Sequence, residues 1–227
     1  AMSFGDRFQK FKTQSLQAVG KAEKTSEGDE FATMIQLMKE TKTEISNLLD
    51  ATKKYHKTQT EAAEAMEKMS GAMQKVQFQD AKAKSTMLEA VPMVSKSATG
   101  SQEYLNSLKQ TLIDTYDNVL HVNYKHAEKA WKTVEDTRLE FDSCSARFKS
   151  ILENKKSTQE EIDRAKQRAD DSESAYNRAK EDCVVACQDL ANAKNALVTK
   201  LNDFANQLGT FGAVYCENAQ AFLTTQQ

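Results

Sequence analysis

The sequence is poor in the residues that turn a chain. It has 7 glycines and 1 proline, Pro92, in 227 residues, and neither type occurs between Gly100 and Gly209. Such scarcity excludes a fold with many reversals and leaves room for a few very long helices. Long apolar runs are missing too. The longest uncharged piece near the end, Phe204 to Cys216, is short and carries Asn206, Gln207 and two glycines, so no membrane span is expected. The first residues lack the apolar core of a signal peptide. Cysteine is scarce: the 4 present form no disulfide-like framework, which fits a reducing, cytoplasmic setting. Cys183 and Cys187, four apart, lack a second thiol pair or close histidines and read as core residues rather than metal ligands. His56, His121 and His126 share no motif, and no glycine-rich loop or nucleophile elbow presents the carboxylates. Enzyme chemistry, a metal and a cofactor are not expected.

What is abundant is helix-forming and charged. Charged residues make up 28% of the chain, with much Ala, Lys, Glu and Gln, as in long-helix and coiled-coil proteins. An apolar content of 39% is too high for plain disorder, and a narrow bundle of this size leaves apolar surface that favours oligomerisation. A net charge of −2 and a pI of about 6.0 exclude a globally basic nucleic-acid binder. Locally the balance differs. Arg7, Lys10, Lys12, Lys21 and Lys24 meet only Asp6 and Glu23, a net of +3. Between 147 and 168, Arg147, Lys149, Lys155, Lys156, Arg164, Lys166 and Arg168 meet Glu153, Glu160, Glu161 and Asp163, again +3. Residues 169–227 then run to −4.

Four helical pieces can be read. The first, from Phe4 to about Ala22, puts Phe4, Phe8 and Phe11 on one stripe and ends at Gly20 and Thr25-Ser26-Glu27-Gly28. Asp29 is a plausible N-cap for the second, which carries Phe31, Met34, Met38, Ile45, Leu48, Tyr55, Met66, Met69, Met73 and Val76 on its apolar positions. Pro92, Ser95, Ser97 and Gly100 place its end late in the window 77–100. The third runs through Leu105, Leu108, Leu112, Val119, Trp131, Val134, Phe141, Phe148 and Ile151, then reverses at Asn154-Lys155-Lys156. Ser157 and Glu160 make a capping box for the fourth. There Ile162, Ala169, Tyr176, Cys183, Leu190, Leu197, Phe204 and Phe211 are spaced by seven, with Ala165, Ser172, Ala179, Ala186 and Ala193 in the partner row. After Leu197 that row shifts to Leu201, Leu208, Tyr215 and Phe222, whose bulk suits a thick central interface. The reading is all-α: three long antiparallel helices, about 29–90, 101–154 and 157–225, preceded by a short amphipathic helix.

Two stretches carry a family resemblance. Val19-Gly20-Lys21-Ala22-Glu23-Lys24-Thr25, followed by Asp29-Glu30-Phe31, resembles the amphiphysin pattern that joins an N-terminal amphipathic helix to the first long helix. Arg138-Leu139-Glu140-Phe141-Asp142 resembles a motif late in the second long helix of endophilins, and Asp114-Thr115-Tyr116 recurs in amphiphysins. The chain thus resembles N-BAR domains. That resemblance implies kinked helices in a coiled-coil bundle, a crescent-shaped homodimer, and a role in membrane curvature and endocytic or vesicle trafficking. It divides the chain into residues 3–28, an inserting helix with its linker, and 29–227, the BAR domain proper.

The implied sites follow. Phe4, Phe8 and Phe11, flanked by Arg7, Lys10, Lys12, Lys21 and Lys24, suit insertion at the headgroup level of an anionic phospholipid membrane. The resemblance places the loop between the second and third long helices, with Lys155 and Lys156, against lipid headgroups, joined by Arg164, Lys166 and Arg168. At about 100° per residue, Arg138, Lys149 and Lys156 fall within about 20° of one another, a basic row for a concave surface. Leu197, Leu201, Phe204, Leu208, Phe211 and Tyr215 form the expected dimer interface. The protein is expected to be peripheral to a membrane, with any protein partners acting through regions beyond Gln227. A spectrin-like three-helix rod working only through protein contacts is the competing reading, though a spectrin unit is about half as long and gives the N-terminal phenylalanines no role.

Overall fold

The computed structural model describes Thr25, residues 28–77 and residues 79–224. Three long helices hold nearly all of these, and no strand occurs among them. Helix α1 is Asp29–Met73. Helix α2 runs unbroken through Ala81–Leu108, Lys109–Ile113, Asp114–Asn118, Val119–Tyr124 and Lys125–Glu153. Helix α3 is Gln159–Thr224.

The ends have local causes, and several differ from the expected ones. Gly28, at φ +77°, is the residue before α1, and its carbonyl accepts from the Ala32 amide at 3.1 Å. Only glycine takes that conformation cheaply, so Gly28 caps the helix and Asp29 becomes its first residue. The break between α1 and α2 falls at 74–80, not at about 91–100 as the sequence suggests. Asp80 is the reason: its carboxylate accepts from the Lys82 and Ala83 amides at 3.3 and 3.2 Å, a strong N-cap. Pro92 therefore lies inside α2. Its ring removes the partner of the Leu88 carbonyl, and Leu88 stands on an exposed side where water can replace it. At the other reversal, Thr158 and Glu161 form the capping box: the Thr158 amide donates to Glu161 Oε2 at 2.9 Å and the Glu161 amide to Thr158 Oγ1 at 3.3 Å. The box is thus one residue later than Ser157 and Glu160.

Two turns of α2, Lys109–Ile113 and Val119–Tyr124, are π-helical. Each accommodates one residue more than an α turn. The second matches the inward row, which steps by five from Val119 to Tyr124, both buried, while across the first the adjacent Leu112 and Ile113 are both buried. On either side the ordinary steps of three and four return.

The described residues form two units, and each long helix contributes to both. One unit joins the chain up to Thr41 with Val122–Asn192. Its core is Phe31, Ile35 and Met38 of α1, Ala127 and Val134 of α2, and the α3 row Ala165, Ala169, Tyr176, Ala179, Cys183, Ala186 and Leu190. Small residues along α3 let neighbouring helices approach closely. Phe31 meets Trp131 at 5.9 Å between centroids, and Phe141 stacks on Tyr176 at 6.0 Å. The second unit, Lys42–His121 with Ala193–Gln227, is centred on Ile45, Leu49, Leu105, Leu108, Leu112, Tyr116 and Leu197. Fully burying each such leucine contributes about 1.5–3 kcal/mol. Residue pairs rise on α1 as they fall on α2 (Lys53 with Asp117, Ser70 with Val91), so these helices are antiparallel.

Candidate functional site

The turn between α2 and α3 belongs to the first unit. Asn154 leaves the helical conformation, and its side chain accepts from the Lys156 amide at 3.2 Å while its carbonyl accepts from Ser157 at 3.0 Å. That tight turn leaves Lys155 and Lys156 exposed. Lys149, Arg164, Lys166 and Arg168 on the two adjoining helices are exposed as well. The interspersed acids are partly committed. Glu161 serves the cap, Asp163 accepts from Gln159 at 2.9 Å, and Glu160 pairs with Arg164. Both partners of that last pair are 74% exposed, so water screens it heavily. Arg164 and Arg168, one turn apart, share a side of α3, whereas Lys166 lies about 160–200° around from them.

Arg138 does not belong to this surface. Its side chain is 8% exposed and pairs at 3.0 Å with Asp142, itself 5% exposed, within the first unit. Its place off the main apolar stripe predicts an outward position; burial by the neighbouring elements overrides that. Lys156 leaves the row for another reason. Helix α2 ends at Glu153, so a helical angle has no meaning at 156. Phe4, Arg7, Phe8, Lys10, Phe11, Lys12, Lys21 and Lys24 lie outside the described residues.

The second unit carries an apolar surface. Leu201 and Leu208 of α3 are 37% and 42% exposed. Phe204 and Phe211 are half-buried against Tyr104, with centroids 6.1 and 4.8 Å away. Leu197, expected at a dimer interface, is instead buried within the chain at 4% exposure, because it continues the inward row of α3. The Tyr215 side chain lies outside what is described. The apolar pattern of the first long helix predicts a core place for Leu48, Tyr55, Met69 and Val76, but all four are exposed. Their separate seven-residue spacing, offset from the Ile45 and Leu49 positions, was the available signal.

Other contacts had no signal in the sequence. Lys39 lies 6.0 Å from the Trp131 ring, and Lys180 lies 5.1 and 5.6 Å from the rings of Phe31 and Tyr176, so two cations are held against aromatic faces. Thr25 donates a hydrogen bond to Asp142. Cys183 and Cys187 are buried, and a hydrogen bond from Cys183 lowers the pKa of Cys187 against the opposing effect of burial. Among the described residues no three His, Cys, Asp or Glu side chains are grouped to hold a metal ion. No described helix is long and apolar enough to cross a membrane.

Comparison with known proteins gives this geometry a family. No curated protein sequence matches the chain. Two similar solved structures are the F-BAR domain of Hof1p, at 12% identity, 86% coverage of each chain and a TM-score of 0.48, and the N-terminal I-BAR domain (1–259) of D. discoideum IBARa, at 10% identity, covering 88% of this chain and 93% of that one with a TM-score of 0.41. The BAR domain family model matches residues 4–211. BAR domains are structural, membrane-remodelling modules rather than a known enzyme fold; they dimerise, bind membranes and sense or generate curvature. With that match running through all three long helices and the basic turn between α2 and α3, the chain belongs to the BAR domain family.

Proposed function

We propose that this is an N-BAR protein of the cytoplasm that binds anionic membranes peripherally, as a homodimer, and bends them in endocytic or vesicle traffic. Its N-terminal segment, residues 3–28, inserts Phe4, Phe8 and Phe11 among the headgroups, while Arg7, Lys10, Lys12, Lys21 and Lys24 attract the acidic leaflet. Lys149, Lys155, Lys156, Arg164, Lys166 and Arg168 add further headgroup contacts. The observation that carries this reading is the exposed Lys155-Lys156 turn with its flanking cations, in a chain of a membrane-binding family. Each such contact is weak, about 1 kcal/mol, and a dimer doubles their number on one surface.

For the dimer, Leu201, Phe204, Leu208, Phe211 and Tyr215 of α3 form the core of the contact, extended by Leu48, Tyr55 and Met69 of α1. Support comes from the exposure of Leu201 and Leu208 beside half-buried aromatic rings, an arrangement that leaves apolar area in water unless a second copy covers it. The central test is sedimentation with liposomes. Binding to acidic but not neutral vesicles, and loss of tubules in Phe8→Glu or Phe11→Glu with the dimer intact, is the expected result. Equal binding to both vesicle types refutes the electrostatic reading.

A further inference from the structure

The two stretches of sequence that resemble N-BAR proteins meet in the first unit. Thr25, at the end of the first stretch, donates its hydroxyl to Asp142, the last residue of the second. Asp142 is held in turn by Arg138, one helical turn earlier on α2, at 3.0 Å. Both charged side chains are more than nine-tenths buried. A buried ion pair gains little cohesion over an apolar pair of the same volume, so its value lies in what it orients. What the Asp142 carboxylate orients is a residue 117 positions away in sequence.

We infer that Thr25 is a positioning residue: through Asp142 and Arg138 it fixes the point where the chain ahead of α1 leaves the helical body. Two further observations fit this role. Gly28, three residues on, adopts a left-handed turn that directs the chain into α1, and Phe31 then packs on Trp131. The chain entering α1 is therefore fastened to α2 at two points, Thr25 at residue 142 and Phe31 at residue 131, about 16 Å apart along the helix. A bond to a charged acceptor is stronger than one between neutral groups, so a single hydroxyl can hold the entry of the chain. In the membrane reading above, on which this use rests, the tether means that a wedge entering the bilayer pulls on the body of the protein at one defined place.

The test uses the full chain without lipid. Trypsin cleavage after Lys24 and amide exchange over residues 28–33 are followed in the wild type, in Thr25→Val, which keeps the shape and loses the hydroxyl, and in Thr25→Ser, which restores it. Cleavage and exchange are expected to rise about tenfold in the valine variant and to return to the wild-type rate in the serine variant, with the thermal midpoint of the bundle unchanged. Wild-type rates in Thr25→Val, or a serine variant that behaves as the valine one, overturn the tether. Since no lipid enters this measurement, its result is independent of the liposome experiment: a chain indifferent to acidic vesicles but opened by Thr25→Val keeps the tether and loses the membrane role.

Discussion

Tyr104 of α2 stacks on Phe211 of α3, ring centroids 4.8 Å apart and planes 14° from parallel. Burial, helped by the Tyr55 hydroxyl 3.4 Å away, drives the Tyr104 pKa far above its ordinary value. One face of Phe211 is thus covered within the chain, while Leu208, three residues earlier, is 42% exposed. In the proposed dimer a second copy covers this face.

Charge placed on that face should separate the copies. Leu201→Glu with Leu208→Glu is expected to weaken dimerisation about a hundredfold, since the exposed two-fifths of each of the four leucines in a dimer contributes about 0.6–1.2 kcal/mol when covered. Sedimentation equilibrium reads the effect, and circular dichroism checks that the helices persist. A dimer of wild-type strength in the double variant rules this face out as the contact.

The α2–α3 turn offers a second measurement. Replacing Lys155 and Lys156 by Gln removes two cations worth about 1 kcal/mol each at an acidic surface, a loss of about thirtyfold in affinity. Binding to acidic vesicles should also weaken as salt rises, because exposed charges are screened beyond about 10 Å at 0.1 M. An unchanged affinity in Lys155→Gln/Lys156→Gln would remove the turn from the membrane contact.

Arg138 should behave oppositely. Arg138→Ala takes the ion-pair partner from the buried Asp142 carboxylate and leaves its charge uncompensated, at a cost of about 3–5 kcal/mol, whereas replacing both Arg138 and Asp142 by apolar residues of similar volume costs far less. Urea unfolding measures the difference. Lipid affinity of the folded Arg138→Ala protein is expected to match the wild type, and a loss of about fivefold there, the share of one cation, would return Arg138 to the lipid surface.

Alkaline pH probes the second unit and the π turns. Burial raises the pKa of Tyr104, Tyr116 and Tyr124, aided at Tyr124 by Glu128. The unfolded chain loses these protons near pH 10, the folded chain only at higher pH. Their contribution to stability is therefore complete below about pH 10 and declines as pH rises beyond it toward the folded values. Phenolate absorbance from these three should appear together with loss of helical circular dichroism. Ionisation of all 6 tyrosines near pH 10 with the helices intact would contradict their burial.

The parts of the fold legible in the sequence were those set by repetition. The α3 row from Ala165 to Leu197 is buried at nearly every expected position, because a seven-residue repeat dictates one inward face. Features set by competition between local signals were harder. Pro92 and Gly100 looked like a boundary, yet Asp80 captured it, since a capping carboxylate starts a helix that a single proline can then ride within. Surface chemistry was legible only in part. Lys155 and Lys156 are exposed, but Arg138 is buried and paired with Asp142, which Thr25 also reaches from far away in sequence. Likewise Leu48 and Leu49 are adjacent, and only the arrangement of neighbouring helices decides that Leu49 is covered at 5% while Leu48 is open at 41%.

The wider turns of α2 bear on how tolerant this chain is of changes in length. Removing one residue from Val119–Tyr124 would convert a six-residue loosened stretch into regular helix and leave Ala127, Val134 and everything after them aimed as before. The same deletion a turn later, within Lys125–Glu153, would rotate every subsequent side chain by about 100° and present the apolar row to water. Length variation in this helix is thus cheap at two places and ruinous elsewhere.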